Sequence, residues 1–585
     1  MTKSRIGRER LLSVVFGGVA VLSMVEWKAI ARGQEASNVA ASEAVTSAVS
    51  TDVNTPSADA NRPAGPNNVR PIDGAGNNVA HRDWGTPNSH LVRGPSGTHY
   101  GDGLSTLAGA TRPSPRAVSN AFFSQSGSIP AANGMSDFIW TWGQFLDHDL
   151  SLTEGAAESA PFAIPTGDAF FDPQSTGSQT MSFHRGAFDP ATGTTTPRQQ
   201  INEITGYIDG SMVYGSTPER ARWLRTLSGG KLKVTKNGKG DLLPFNDGTV
   251  PNAGSPESAD LSTALFVAGD IRANEQPTLA CIHTLFVREH NRVAEQLASQ
   301  TRNLSDEQLY QRARAIVIGE IQKITFDEFL PVLLGKNALR KRPKYDPQVN
   351  AGVNAVFSGA GYRLGHTLLS PQLQRLDENG KPVAGGAISL RDMFFNAVAP
   401  MLTSDGIEPF LRGVAAQTAQ ELDEKVIEDV RSFLFGAPGQ GGLDLTALNI
   451  QRGRDLALPD FNTIRKDYGL ARKSNFSQIT SDPAKVAKLK QTYASVDDID
   501  AFAGLLIEDD YPGAIVGETL RAVLVDQFER SRSGDRFWYE STLNSQDLSI
   551  VEGTKLSDVI KRNTSIANIQ RNAFYVRSVR ASNED

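Results

Sequence analysis

Residues 138–150 read Phe-Ile-Trp-Thr-Trp-Gly-Gln-Phe-Leu-Asp-His-Asp-Leu, which sets two carboxylates and an imidazole among tryptophans and phenylalanines. As a helix, at about 100° per residue, Gln144, Asp147 and His148 lie at i, i+3 and i+4 and share one face. Asp149 points roughly 100° past His148 and 200° past Asp147. One turn therefore offers an amide, a carboxylate and an imidazole to a cavity, and a second carboxylate to whatever lies behind. Phe138, Ile139, Trp140, Trp142, Phe145 and Leu146 predict burial, and buried charges require partners. Any fold of this chain must supply those partners. The plainer alternative is a lone histidine satisfied by ordinary hydrogen bonds.

The chain has 585 residues, 39% hydrophobic and 21% charged, enough for a large core. Its 59 basic and 65 acidic residues leave a net charge of −6 with no basic stripe, so nucleic acid is not an expected partner. Cys281 is the only cysteine. No internal disulfide can form, and packing, a metal or a cofactor must stabilise the fold. His81, His90, His99 and His184 sit in Gly-, Pro- and Asn-rich surroundings and read as surface or loop residues.

Lys3, Arg5, Arg8 and Arg10 precede an apolar run over 11–25, shorter than the span of about 20 residues a transmembrane helix needs. Residues 1–31 read as a signal peptide, with Ala29-Ile30-Ala31 as cleavage site; an uncleaved anchor is the alternative. Residues 32–66 read as a disordered linker rich in Ala, Ser, Asn, Thr and Pro. The folded domain is expected over 67–585. The mature chain is expected to be secreted or periplasmic, without a membrane span.

Residues 70–135 and 152–204 read as irregular and loop-rich. Thr205, Tyr207, Asp209 and Ser211 carry oxygens at every second position, which lie on one side of an extended segment. Hard cations such as calcium take six to eight oxygens; the alternative is a polar turn. Pro277 opens a helix whose apolar face holds Ile282, Leu285, Phe286, Val293 and Leu297. His283 and His290 lie on it without the His-Glu-x-x-His pattern of a zinc site. Ser305 and Gln308 form a capping box before a strongly apolar helical interior over 309–334. A further helical segment over 353–369 puts Arg363 and His366 at i, i+3, and an apolar stretch over 443–452 carries the amide of Asn449. Helical patterns dominate and no repeats are evident.

Several motifs together carry a resemblance. Trp-Gly-Gln-Phe-Leu-Asp-His-Asp at 142–149 resembles the distal-histidine motif of the animal-type haem peroxidases, the peroxidase–cyclooxygenase superfamily. Asp-Gly-Ser-Met-Val-Tyr-Gly-Ser at 209–216 is similar to the end of that family's calcium loop. Ala-Gly-Asp-Ile-Arg at 268–272, with Glu275 and the helix through 283–292, resembles its distal arginine segment. Tyr-Arg-Leu-Gly-His-Thr at 362–367 resembles its proximal-histidine motif, and Leu-Asn-Ile-Gln-Arg-Gly-Arg-Asp at 448–455 the segment supporting it. Gly-Asp-Arg-Phe-Trp-Tyr at 534–539 is also similar.

The resemblance runs from about residue 70 to about 575 and implies a mainly α fold, a single large helical catalytic domain with long irregular loops. It implies haem b, with His366 as iron ligand, Asn449 accepting the other imidazole N–H, and Arg363 beside the cofactor. His148 would move the proton of hydrogen peroxide, Arg272 would stabilise developing negative charge, and Gln144 would bond distal water or a halide. Asp147 and Glu275 match positions that form two ester bonds to haem. Asp149, Thr205, Tyr207 (through its carbonyl), Asp209 and Ser211 match the calcium site. Gln276 stands where one branch has a haem-linked methionine, so that third bond is not expected. Strong chloride oxidation is then not expected either. Bromide, iodide, thiocyanate and small phenolic donors are. The single cysteine fits a bacterial-type member rather than the disulfide-rich vertebrate ones.

Two rival readings differ in class. A fatty-acid dioxygenase or cyclooxygenase would carry a tyrosine three residues before the proximal histidine, where this chain has Arg363; Tyr362 is turned about 100° away on a helix. A non-enzymatic secreted adhesion protein would keep the fold alone, yet no Arg-Gly-Asp tripeptide occurs and every catalytic position is filled.

Overall fold

Proline and hydroxyl or amide caps start the helices that position the site. The computed structural model describes residues 69–254, 261–341, 344–403 and 406–577. The leader and linker expected over 1–66 lie outside them. Phe138–Leu150 is a helix, as its periodicity predicts. Pro277 is the first residue of the Pro277–Gln300 helix, and the Gln276 side chain caps it by accepting from the Thr278 amide. Ser305 and Gln308 form the predicted capping box of Asp306–Ile324. Asp444 caps Leu445–Asp455 by accepting from the Ala447 amide.

The fold is mainly helical, as expected. The strands described pair only in two-stranded ladders, such as Ser89–His90 antiparallel to Ile201–Asn202 and Val426–Ile427 parallel to Ser124–Gln125. Among the described residues no helix is long and apolar enough to cross a membrane. They form one compact unit around one dominant core.

Trp142 lies at the centre of that core. Its ring meets Phe145, Phe286 and Phe574 edge-on, and its indole N–H donates to Thr325 Oγ1 at 3.2 Å. Burying such a ring contributes about 2–3 kcal/mol before cavity terms, so the helix bearing His148 is fixed by aromatic packing.

Four expectations need correction. Residues 70–135 contain a helix, Pro115–Phe122, which Ser114 caps and Pro115 opens. Residues 309–334 do not form one helix. The α-helix ends at Ile324, a π turn spans Thr325–Phe329, and Leu330–Leu334 resumes the α form. Residues 353–369 split into a short helix, Ala355–Gly359, and a 3-10 turn, Gly361–His366, because Ala360 leaves helical geometry at φ −142°. Residues 205–211 are bent rather than extended, with Gly210 at φ 72° starting the Ser211–Tyr214 helix. Of the four outlying histidines only His90 is exposed, bonded to Asp189 at 2.9 Å; His81 stacks on Trp84, and His99 and His184 are half-buried.

Candidate active site

The Phe138–Leu150 helix divides its polar groups as the sequence requires. His148 is buried and faces Asp270 and Glu275: Nδ1 lies 3.6 Å from Asp270 Oδ1, and Nε2 4.0 Å from Glu275 Oε2. Nδ1 is a buried polar atom without a hydrogen-bond partner. Burial, and then the Arg272 charge, hold the imidazole's pKa well below its ordinary 6.5. His148 is therefore neutral near pH 7. Asp270, kept ionised by the Arg272 charge and hydrogen bonds, favours the tautomer with the proton on Nδ1 and leaves Nε2 as the basic atom. His283, fully buried against Phe145, stands behind His148 with ring centres 6.3 Å apart.

Arg272 is fixed from two sides. Asp270 accepts from Nε at 2.9 Å and from Nη2 at 2.8 Å, and also from the Arg272 backbone N–H at 2.8 Å. The Ser151 carbonyl accepts from Nη2 at 3.0 Å, and Asp147 Oδ2 lies 3.6 Å from Nη1. Asp270, the carboxylate inside Ala-Gly-Asp-Ile-Arg at 268–272, is a site residue that the sequence pattern does not single out. Its signal, a carboxylate two residues before an essential arginine, has no periodicity to reveal it.

Gln144, Glu275 and Gln276 form a chain. Gln144 Nε2 donates to Glu275 Oε2 at 2.7 Å, and Gln276 Nε2 donates to Gln144 Oε1 at 3.1 Å. Both ends of the Gln144 amide are thus bound to side chains, with one N–H and one lone pair left for the water or halide expected there. Gln276 causes this, because its Oε1 is committed to Thr278 N and Oγ1, leaving the amide N–H₂ toward Gln144. Burial raises the Glu275 carboxyl to about 7 against the pull of Arg272, and raises Asp147 as well. The side chains of both remain about a third exposed toward the cleft, 29% and 34%.

The opposite wall is the Gly361–His366 turn, which packs against the Phe138–Leu150 helix. His366 Nδ1 and Asn449 Nδ2 are 2.7 Å apart, and Asn449 Oδ1 accepts from Arg363 Nη1 at 3.0 Å. The pairing is the expected one with the roles reversed. Arg363 occupies the amide oxygen, so the amide nitrogen donates to His366. Turning the amide over makes His366 Nδ1–H the donor, the form in which Nε2 is free to bind a metal. A haem fits this donor set: imidazoles on two walls, a guanidinium beside one of them, and two partly open carboxylates at the rim.

Behind the distal helix, Asp149 is wholly buried and faces the 205–211 loop. Its Oδ1 accepts from Ser211 N at 2.5 Å and Ser211 Oγ at 2.7 Å, and its Oδ2 accepts from Gly210 N at 3.1 Å. Asp209 accepts from Thr205 Oγ1 at 3.0 Å, while its Oδ2 has no partner. Burial raises both carboxyls, and Asp209 raises Asp149 further. Tyr207 turns its phenol away to donate to the Trp84 carbonyl, leaving only its backbone oxygen for the loop. Two buried carboxylates, hydroxyls and an orphaned oxygen form a donor set that a calcium ion satisfies.

The comparisons agree with this geometry. The family model for animal haem peroxidases matches residues 69–574. Peroxinectin A of Dictyostelium discoideum is 39% identical over 471 residues, 78% of this chain and 87% of that protein. A human peroxidasin homologue is 34% identical over 558 residues; the match covers 87% of this chain and 37% of that protein, so this chain spans little more than a third of its length. Among solved structures, peroxidase A of Dictyostelium discoideum superposes with a TM-score of 0.80 at 36% identity, covering 87% of this chain and 99% of that one. A fatty acid α-dioxygenase of Arabidopsis thaliana, at 22% identity and a TM-score of 0.71, shares the fold. With the family model matched over nearly all the described residues and relatives at this identity and coverage, the chain belongs to the animal haem peroxidase family and is an oxidoreductase that uses hydrogen peroxide.

Proposed function

We propose that the enzyme oxidises bromide, iodide, thiocyanate or small phenolic donors, with His366 holding the haem and His148 and Arg272 acting on peroxide. The observation that carries this reading is the Asp270–Arg272–His148 group facing the His366–Asn449 turn. Haem bound there supplies the iron at which peroxide is reduced. His148 Nε2 takes the proton from the near oxygen of peroxide and returns it to the departing one, which leaves as water. Neutrality near pH 7 suits it to begin as the base. Arg272, immobilised by Asp270, sets a permanent positive charge beside the O–O bond as negative charge develops. Asn449 lies 2.7 Å from His366 Nδ1, where its amide, turned over, would accept from Nδ1–H and leave Nε2 to the iron.

Asp147 and Glu275, partly open at the rim, are assigned to the two ester links, and Gln276 forms none. Asp149, Thr205, Tyr207, Asp209 and Ser211 are assigned to one calcium ion. We place the mature chain outside the cytoplasm, secreted or periplasmic, in line with the leader read from the sequence.

A fatty-acid dioxygenase shares the fold but not the residue on which its radical depends. Arg363 occupies that position and is bonded to Asn449 and to the Ser358 carbonyl. An absorption spectrum of purified protein, with and without peroxide, followed by a halide panel, tests the proposal. A haem-free protein, or one that consumes fatty acid and dioxygen without peroxide, overturns it.

A further inference from the structure

Tyr362 lies in the Gly361–His366 turn, which packs against the Phe138–Leu150 helix, and burial, then the Asp147 charge, raise its phenol well above the ordinary value. It is more than nine-tenths buried, and its hydroxyl has no hydrogen-bond partner among the described residues. Its ring stacks on Phe357 at 4.8 Å and meets Phe528 at 5.8 Å. Phe528 meets Phe326 at 6.1 Å, Phe326 meets Trp538 at 4.9 Å, and Trp538 meets Tyr539 at 5.7 Å. Every step lies within the 4.5–7 Å range of aromatic contact. The residues come from distant parts of the sequence, and the π turn Thr325–Phe329 bears Phe326 between the other two segments. At the far end Tyr539 is itself buried, 7% exposed, and its hydroxyl donates to Oε1 of the exposed Glu552 at 3.1 Å, so a surface donor would pass its electron across that edge rather than touch the whole ring.

We infer that Tyr539, with Glu552 as its proton acceptor, is a second oxidation site, wired to the haem cleft through Trp538, Phe326, Phe528 and Tyr362. It would serve phenolic donors too large to enter the cleft. The inference rests on the peroxidase reading, which supplies the oxidant. One electron passes from Tyr539 along the rings to the peroxide-oxidised haem site, which is reduced by one electron. The phenolic proton moves to the Glu552 carboxylate, leaving a neutral tyrosyl radical. A phenolic donor at the surface then gives one electron to the radical, Glu552 hands its proton back to the Tyr539 oxygen, and the donor's own phenolic proton goes to solvent.

The chain also determines where oxidation comes to rest. Among the described residues nothing accepts the Tyr362 phenolic proton, so a neutral radical is disfavoured there relative to Tyr539. Phe326 lies under the Arg532 guanidinium, 5.0 Å from its centroid, which disfavours positive charge on that ring. Tyr539 alone among these rings pairs an oxidisable phenol with a carboxylate at the surface.

The test uses the holoenzyme with free tyramine and with tyramine coupled to dextran. Wild type should oxidise both, and a sample frozen after peroxide without donor should give a tyrosyl signal by electron paramagnetic resonance. Tyr539→Phe and, independently, Phe326→Leu should lose the signal and the oxidation of tyramine-dextran while keeping that of free tyramine. Glu552→Gln should lose the signal with the haem spectrum unchanged. An undiminished signal or undiminished dextran-linked oxidation in both Tyr539→Phe and Phe326→Leu overturns the inference, as does a wild type inactive on the conjugate. Failure of wild type on free tyramine counts instead against the peroxidase reading.

Discussion

Asp270 grips Arg272 with both carboxylate oxygens, at 2.9 Å from Nε and 2.8 Å from Nη2. The same carboxylate stands 3.6 Å from His148 Nδ1, too long for a hydrogen bond but close enough for its charge to favour the proton on that nitrogen. Replacing Asp270 with Asn keeps the shape and removes the charge. The reaction with peroxide should slow about 10- to 100-fold, as for other groups that orient a catalytic shell. Rapid mixing with the haem spectrum as readout measures this; an unchanged rate would dismiss the role.

His148→Ala should slow the same step by a factor of about 10² or more, the usual range for a positioned acid–base group. Its resting haem spectrum should persist, because the ligand side is untouched. Equal rates in variant and wild type would reassign proton transfer elsewhere.

Calcium should be present at about one ion per chain, as befits a single oxygen-rich site. Burial holds Asp149 and Asp209 above the ordinary carboxylate range without a cation, whereas both must be ionised to bind one. Binding should therefore release protons near neutral pH and weaken as pH falls. Calorimetry in buffers of differing ionisation heat detects the release, and a fully active, metal-free protein would remove the site.

Asp147 and Glu275 should bind haem covalently once peroxide is supplied. Mass spectrometry after acid–organic extraction should find two links in wild type, one in each single alanine variant and none in the double variant. Haem retained covalently by the double variant places the links elsewhere.

Asp137, buried just ahead of the distal helix, accepts from Ser370 Oγ at 2.8 Å, and burial raises its pKa from 3.8 to about 7. A raised carboxyl favours the fold in its protonated form. Stability is then highest below the unfolded value and is lost as pH climbs through about 7. Asp137→Asn should match wild type near pH 4 and exceed it by about 2–4 kcal/mol above pH 7. Urea melts at the two pH values decide; no gain at the higher pH refutes the shift.

The elements legible in the sequence were those with a local code. The 138–150 helix follows from its period, Pro277 and Ser305 announce their helices, and i, i+1 geometry alone sends Asp149 away from His148. Breaks without such a code were invisible: the π turn after Ile324 keeps its apolar character, and Ala360 ends a helix by conformation rather than composition. Pairings across the chain were reachable only through resemblance, and even that did not reveal their details. Gln276 locking Gln144, and Arg363 turning the Asn449 amide, depend on side chains brought together by folding.

The cleft is assembled from residues spread between Gln144 and Asn449, 305 positions apart. At a synthesis rate of about 5–20 residues per second, roughly 15 to 60 s separate the appearance of its first and last members. A nascent chain therefore carries an incomplete site for about half of its synthesis, 305 of 585 residues. A truncation before residue 361 yields a product without the Gly361–His366 wall, and one between 367 and 448 keeps that turn but lacks Asn449 beside it.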